Sequence, residues 1–325
     1  MICDVGCVII GRNEGERLRA CLTSLVGKAE AMVYVDSGST DGSVALARGL
    51  GVTVVELDMA IPFTAARGRN EGFRVLKGRL PSLRYIQFVD GDCEVLPGWL
   101  DAAREFLESH PDAAVACGRL RERYPEYSIY NRLCDMEWDT PLGEAKACGG
   151  VAMIRAMAFA EVGAYRSDLI AGEEPELCVR LRLAGWKVWR IDHDMALHDA
   201  AMTRFGQWWK RSVRNGHAFA EGAYLHGASA ERHWVRESLR AWLWGGVIPA
   251  FILLGVPIFG WGTFAFSVLY PLQVIRLGLM GTSSSKDNWL KAIFLVLSKF
   301  PEFFGQANYW VSKLRSSRVS LIEYK

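Results

Sequence analysis

The sequence predicts an α/β fold: an open, mostly parallel sheet followed by a helical, apolar C-terminal region. Three observations carry that expectation. Short apolar runs rich in Val, Ile and Tyr alternate with helix-period stretches through about the first 120 residues, the pattern of β-α-β units. Polar residues gather directly after those runs, where an open parallel sheet binds its ligands. From Ala241 to Ile275 no charged residue occurs, a stretch longer than the ~20 residues that span a bilayer.

Element by element, the apolar runs place strands at residues 5–10, 32–35, 52–56 and 85–89, with another near 113–117. Helical spacing falls at 16–26, 43–48, 63–77 and 98–109, and Ser39-Thr40-Asp41-Gly42 supplies oxygens to cap the second of these. Residues 124–150 are irregular and aromatic-rich, which reads as a loop-heavy side of the domain. A helix at 174–184 ends at Gly185, and 186–191 returns to the sheet. The composition changes after Ala200, and the division expected is a domain over 1–225 and an interfacial and transmembrane helical region over 226–325.

A net charge of +2 over 325 residues argues against a nucleic-acid binder. Arg204, Lys210, Arg211, Arg214, Arg232, Arg236 and Arg240 are interleaved with Phe205, Trp208, Trp209, Trp234 and Trp242. Beside an uncharged run this mixture reads as an interfacial anchor on membrane lipid, not a stacking platform for single strands. The eight cysteines are scattered without a Cys-x-x-Cys pair and read as reduced thiols. No basic stretch precedes the short first apolar run, so a cytosolic amino-terminal half is expected. Arg232, Arg236 and Arg240 before the uncharged run, Arg276 after it and the C-terminal Lys313, Arg315, Arg318 and Lys325 predict a hairpin, fully spanning or re-entrant, turning near Gly260-Trp261-Gly262 with both ends in the cytosol.

The polar residues at the strand ends carry the chemistry. The first run leads into Gly11-Arg12-Asn13-Glu14, the second into Asp36-Ser37-Gly38-Ser39 and the fourth into Asp90-Gly91-Asp92. Two carboxylates across a glycine offer hard oxygen ligands that suit Mg²⁺ or Mn²⁺. Glu173-Glu174-Pro175-Glu176 opens a later helix. First-turn acids are ordinary electrostatics there, but one facing a pocket is placed to act as a general base.

These segments, with Ala66-Arg67-Gly68-Arg69-Asn70-Glu71-Gly72 and Gly149-Gly150-Val151-Ala152-Met153-Ile154-Arg155, stand in an order that resembles the family 2 glycosyltransferases of the GT-A fold, over about residues 3 to 200. The resemblance implies a Rossmann-like nucleotide-diphospho-sugar transferase sheet. It implies that Asp36 contacts the donor base and that Asn13, Glu14, Arg67 and Asn70 shape the nucleotide pocket. Asp90 and Gly91 then meet the donor, Asp92 and His198 hold the Mg²⁺ or Mn²⁺, and Glu174 is the catalytic base of an inverting transfer. The family usually shows Glu-Asp where this chain has Glu173-Glu174, which moves the carboxylate by about a bond length. In Gln207-Trp208-Trp209-Lys210-Arg211-Ser212-Val213-Arg214-Asn215, Asn215 replaces the tryptophan of processive members, so single addition is expected.

The implied donor is a nucleotide-diphospho-sugar, UDP-sugars ahead of GDP-sugars. The implied acceptor is a lipid-linked glycan or glycolipid at the cell inner (cytoplasmic) membrane. Two alternatives stand beside this reading: a sugar-phosphate nucleotidyltransferase, whose glycine-rich basic loop the first strand lacks, and a non-catalytic membrane scaffold that keeps the fold.

Overall fold

The structure is a computed structural model that describes residues 2–281 and 284–315. The side chain of Cys3, and Arg318 and Lys325 of the charge argument, lie outside the described residues. By chain contacts the protein divides into two compact units, Met1–Pro125 with Glu137–Ala201, and Glu126–Met136 with Met202–Lys325.

The first unit holds one sheet of β1 (Ile2–Gly11), β2 (Ala29–Asp36), β3 (Thr53–Glu56), β4 (Tyr85–Asp90), β5 (Cys93–Val95), β6 (Ala113–Glu122), β7 (Gly143–Glu144), β8 (Ala152–Arg155) and β9 (Lys187–His198). Their order is β3-β2-β1-β4-β8-β6-β9-β5, with β7 on β9. β3, β2, β1 and β4 run parallel, whereas β8 is antiparallel to both β4 and β6. The sheet is therefore parallel in the half read from the apolar runs and mixed beyond it. Around it lie α1 (Glu16–Leu25), α2 (Ser43–Gly49), α3 (Ala65–Arg79), α4 (Trp99–Ser109), α6 (Ala156–Glu161) and α7 (Glu173–Leu183); α5 (Ile129–Trp138), in the stretch expected to be irregular, belongs mostly to the second unit.

Register sets the rim of the site. Gly11 pairs with Asp36 and Ile10 with Asp90, so β1, β2 and β4 end level and deliver their polar residues to one edge. Helix α3 is capped by the Thr64 hydroxyl, which accepts from the Arg67 amide at 3.1 Å. Its buried face comprises Ala66, Gly68, Arg69, Gly72, Phe73 and Leu76. At Gly72 a Cβ would overlap Val8 Cγ1 and lie 3.0 Å from Val35 Cγ2. The helix axis thus approaches β1 and β2 more closely than any side chain at 72 allows, which brings Arg69 under the rim.

In the second unit α8 (Phe205–His226) is followed by two long helical arms. The first joins α9 (Val235–Ala241), a π-helical turn (Trp242–Val247) and α10 (Ile248–Leu254); the second joins α11 (Val256–Phe259), a 3₁₀ stretch (Gly260–Val268) and α12 (Leu269–Met280). The arms Val235–Leu254 and Val256–Met280, 20 and 25 residues, are long and apolar enough to cross a membrane by length and composition. They run antiparallel: the Tyr270 hydroxyl donates to the Trp244 carbonyl at 2.7 Å, and Thr263 Oγ1 to the Ile252 carbonyl at 3.1 Å. Helices α13 (Ser285–Leu297) and α14 (Lys299–Leu314) complete the unit. α14 meets α8 backbone to backbone, since a Cβ at Gly216 would overlap the Glu302 carbonyl and one at Gly305 the Val213 carbonyl.

Two glycines of α3 therefore respond oppositely to a side chain. Gly72→Leu should destabilise the protein by about 1–3 kcal/mol through overpacking against β1. Gly78, with nothing within 4 Å of its Cβ position, should gain up to about 1 kcal/mol as Gly78→Ala from helix propensity alone. Thermal unfolding of both variants checks the pair.

Candidate active site

At the end of β2 the Asp36 carboxylate is buried and builds its own turn. Oδ2 accepts from the Gly38 and Ser39 amides at 3.0 and 2.8 Å, and Oδ1 from the Tyr34 and Ser39 hydroxyls at 2.9 and 2.5 Å. Burial, and then the adjacent Asp36 charge, push the Tyr34 phenol well up, so it stays a donor to that carboxylate. Asn13, at φ 55°, ties β1 to the same turn. Its amide donates to Ser39 Oγ at 2.9 Å, and its Oδ1 accepts from the Thr40 and Asp41 amides at 2.7 and 3.3 Å.

At the end of β4 the Gly91 amide donates to the Ile10 carbonyl at 2.8 Å. A Cβ at Gly91 would lie 3.1 Å from that carbonyl oxygen and 3.3 Å from Glu14 Cγ. The residue between the two aspartates is therefore glycine for want of room. Glu14 itself pairs with Arg17 at 2.8 Å.

Arg69 organises the acidic centre. Its guanidinium, 3% exposed, lies 2.9 Å from Asp90 Oδ1, 3.0 Å from Glu173 Oε1 and 2.8 Å from Glu174 Oε1, with the Tyr165 ring 5.5 Å away. Burial and then the Glu173 charge push the Glu174 carboxyl up to about 7, against the pull of Arg69. A Cβ at Gly150 would stand 2.6 Å from both Arg69 Nη2 and Asp90 Oδ2, so only glycine lets the backbone close over this pair. The family resemblance points to Arg67, whereas the guanidinium at the centre is that of Arg69. A signal was present: Arg69 lies on the stripe Ala66, Arg69, Phe73, Leu76, and a guanidinium on the apolar face of a helix requires buried acids to meet it.

Asp92 and His198 come together across the sheet. Cys93 of β5 is the register partner of His198 at the end of β9, and Asp92 Oδ2 lies 3.3 Å from His198 Nε2. The ligand atoms of Asp92, Cys93 and His198 all lie within 4.8 Å of one another. Among the described residues His198 Nδ1 has no hydrogen-bond partner; it lies 3.8 Å from Glu122 Oε2, which accepts from the Ala200 amide at 3.0 Å. A carboxylate and an imidazole nitrogen converging in this way fit a divalent cation.

The other candidates are held differently. Arg67 donates to the Ile61 and Asp58 carbonyls at 2.8 and 2.9 Å, and Asn70 exchanges hydrogen bonds with the Tyr165 backbone, Nδ2 donating at 2.7 Å and Oδ1 accepting at 3.0 Å. Both thus brace loops beside the site. Glu176 is paired with Arg180 at 2.7 Å. The structure joins Asn13 to Asp36 through Ser39, Asp90 to Glu174 through Arg69, and Asp92 to His198 directly.

The glycosyl transferase family 2 model matches residues 7–162. Over 129 residues, 39% of the chain, the sequence is 30% identical to a TPR repeat-containing protein of Synechococcus elongatus, and the match spans 29% of that protein's length. Among solved structures, S. aureus TarS 1–349 superposes with a TM-score of 0.52 at 11% identity, covering 97% of this chain and 92% of that one. Mannosyltransferase PcManGT from Pyrobaculum calidifontis, in complex with GDP-Man and Mn²⁺, gives 0.53 at 16% identity over 96% of this chain and 86% of its own. At such identities the likeness is one of fold.

Replacing Arg69 by Met should cost about 3–5 kcal/mol, because buried carboxylates lose their counter-charge. With the cation gone the Glu174 carboxyl, already raised by burial and the Glu173 charge, rises further, so the folded state holds more protons than the unfolded one. The deficit should therefore be small at pH 5 and grow as pH rises through and beyond about 7, the value to which Glu174 is already raised. Urea unfolding of both proteins at pH 5 and pH 8 reads this out.

Proposed function

Because the glycosyl transferase family 2 model matches residues 7–162 and the chain carries the GT-A fold, we propose that the protein transfers a sugar, with inversion, from a nucleotide-diphospho-sugar to a hydroxyl of a lipid-linked glycan in polysaccharide or glycolipid assembly. The observation that carries this reading is the Arg69 cluster, which holds Glu174, a carboxyl pushed up by burial and the Glu173 charge, on the same guanidinium as Asp90 of the Asp-Gly-Asp turn.

A base works best when its pKa lies near the working pH, and Glu174 meets that condition through burial and its like-charged neighbour. With Oε1 on Arg69, the other oxygen is the one to take the acceptor proton. Glu173 is buried on the same guanidinium and Glu176 is locked by Arg180, so neither competes for the role. Asp90, partly exposed on the rim, faces the ribose and diphosphate, while Asn13 and Asp36 shape the turn that receives the base, and Glu14 and Gly91 line the space between. Arg67 and Asn70 act through the loops they brace.

Asp92 and His198 would hold the Mg²⁺ or Mn²⁺, which when bound neutralises the charge of the leaving nucleoside diphosphate. The complex of PcManGT with GDP-Man and Mn²⁺ supports both a nucleotide-sugar donor and a divalent cation; a UDP-sugar is the first donor to test and a GDP-sugar the second. The two apolar arms support attachment to the inner membrane, with residues 1–225 catalytic on the cytosolic side and 226–325 the anchor. An arm of 20 residues rises ~30 Å, the thickness of a bilayer core.

Glu174→Gln should lower turnover by about 10²-fold or more with donor affinity little changed, and Glu176→Gln should be the milder change. The reverse order would place the base elsewhere on α7. Since the base must be deprotonated, turnover should fall as pH drops below about 7. Glu173→Gln removes the like charge and should shift that inflection to lower pH, which a pH–rate profile of the two proteins resolves.

The anchor is tested separately. In a cysteine-free background, Trp261→Cys, at an exposed position five residues into the second arm, should react with an impermeant thiol reagent added outside intact cells, and Arg315→Cys should not. Labelling of Arg315→Cys alone would contradict the hairpin.

A further inference from the structure

Beside the two residues assigned above to the metal stands a thiol with no assigned role, and we propose that Cys93 is a third ligand, giving this site a preference for a thiophilic divalent ion over Mg²⁺. The inference rests on the reading of Asp92 and His198 as metal ligands and adds a donor of a different chemical class.

Cys93 and His198 are directly opposed in the antiparallel pairing of β5 with β9, and directly opposed residues project to the same face of a sheet. Asp92, the residue before Cys93, reaches both: the Cys93 thiol donates to its Oδ1 at 3.7 Å, and its Oδ2 lies 3.3 Å from His198 Nε2. In a tetrahedral site with metal–sulfur bonds of ~2.3 Å and metal–oxygen or –nitrogen bonds of ~2.1 Å, neighbouring ligand atoms stand ~3.4–3.6 Å apart. The two contacts of Asp92 are near that size and all three ligand atoms lie within 4.8 Å of one another, so a modest closing of the cluster brings the three side chains onto one ion.

The cluster lies almost wholly out of solvent, with Cys93 1% and Asp92 5% exposed. On ligation the thiol gives up its proton and the sulfur binds as thiolate. Mg²⁺ takes oxygen ligands in near-octahedral geometry and gains nothing from sulfur, whereas Co²⁺ and Zn²⁺ bind mixed sulfur, nitrogen and oxygen sets well. The ion selected is accordingly a borderline-soft first-row dication.

The test is spectroscopic. The purified full chain in detergent is titrated with Co²⁺, with and without UDP, and thiolate-to-cobalt charge transfer is followed in the near ultraviolet, alongside Mg²⁺ competition and Mn²⁺ binding by electron paramagnetic resonance. The expected result is a charge-transfer band in the wild type that is lost in both Cys93→Ser and Cys93→Ala, with Co²⁺ affinity falling about tenfold or more and Mg²⁺ affinity unchanged. Co²⁺ bound by the wild type without such a band, or a band that persists in both variants, overturns the role of Cys93 and leaves the Asp92–His198 site standing. A wild-type protein that binds neither Co²⁺ nor Mn²⁺, even with UDP, overturns both.

Discussion

A single buried guanidinium is the constraint around which the first unit is arranged. Arg69 meets Asp90, Glu173 and Glu174 at hydrogen-bonding distance while only 3% exposed. Three carboxylates so close repel one another, and the guanidinium is the counter-charge they share. The cation comes from α3, one acid from the end of β4, and two from the first turn of α7, whose N-terminal end also favours negative charge. One electrostatic contact therefore joins three elements distant in sequence and holds the Asp-Gly-Asp turn beside the proposed base. Its neighbours are small for the same reason: Gly72 lets α3 reach β1, and Gly150 lets the backbone pass over the Arg69–Asp90 pair.

Much of this was legible in the sequence, and the parts that were not share a cause. The parallel half of the sheet declares itself because β1, β2 and β4 are apolar runs of ordinary strand length, each followed by polar residues. β5, β7 and β8 are three, two and four residues long, too short to show a period, and their positions depend on pairing partners far along the chain. β9 continues to His198 past the expected end near Ile191, because alternation with Asp192 and Asp194 on the solvent side disguises a strand as a polar loop. Helix α5 lies in a segment whose aromatic and charged residues show no clear apolar stripe.

The site shows the same division. Asp90-Gly91-Asp92 and Glu173-Glu174 are local patterns and could be read directly. The meeting of Asp92 with His198 follows from the β5–β9 register, which no local pattern encodes, although the family's motif order led to the histidine. Arg69 was hidden by its neighbour Arg67, which is one turn-fraction away and makes carbonyl contacts in the loop before α3. In the second unit the small residues were the unread signal: Gly216 and Gly305 mark where α8 and α14 touch through their backbones, an arrangement common where helices pack in an apolar medium.

The proposal that this fold performs sugar transfer is tested most directly with the donor itself. Purified full chain in detergent is incubated with Mn²⁺ or Mg²⁺ and a panel of UDP-, GDP- and dTDP-sugars, and released nucleoside diphosphate is measured. Metal-dependent release from one donor class, abolished in Asp92→Asn, is the result predicted. Intact donors throughout the panel, with a protein that is folded and supplied with a lipid-linked glycan acceptor, would contradict it and favour a scaffold that keeps the fold without the reaction.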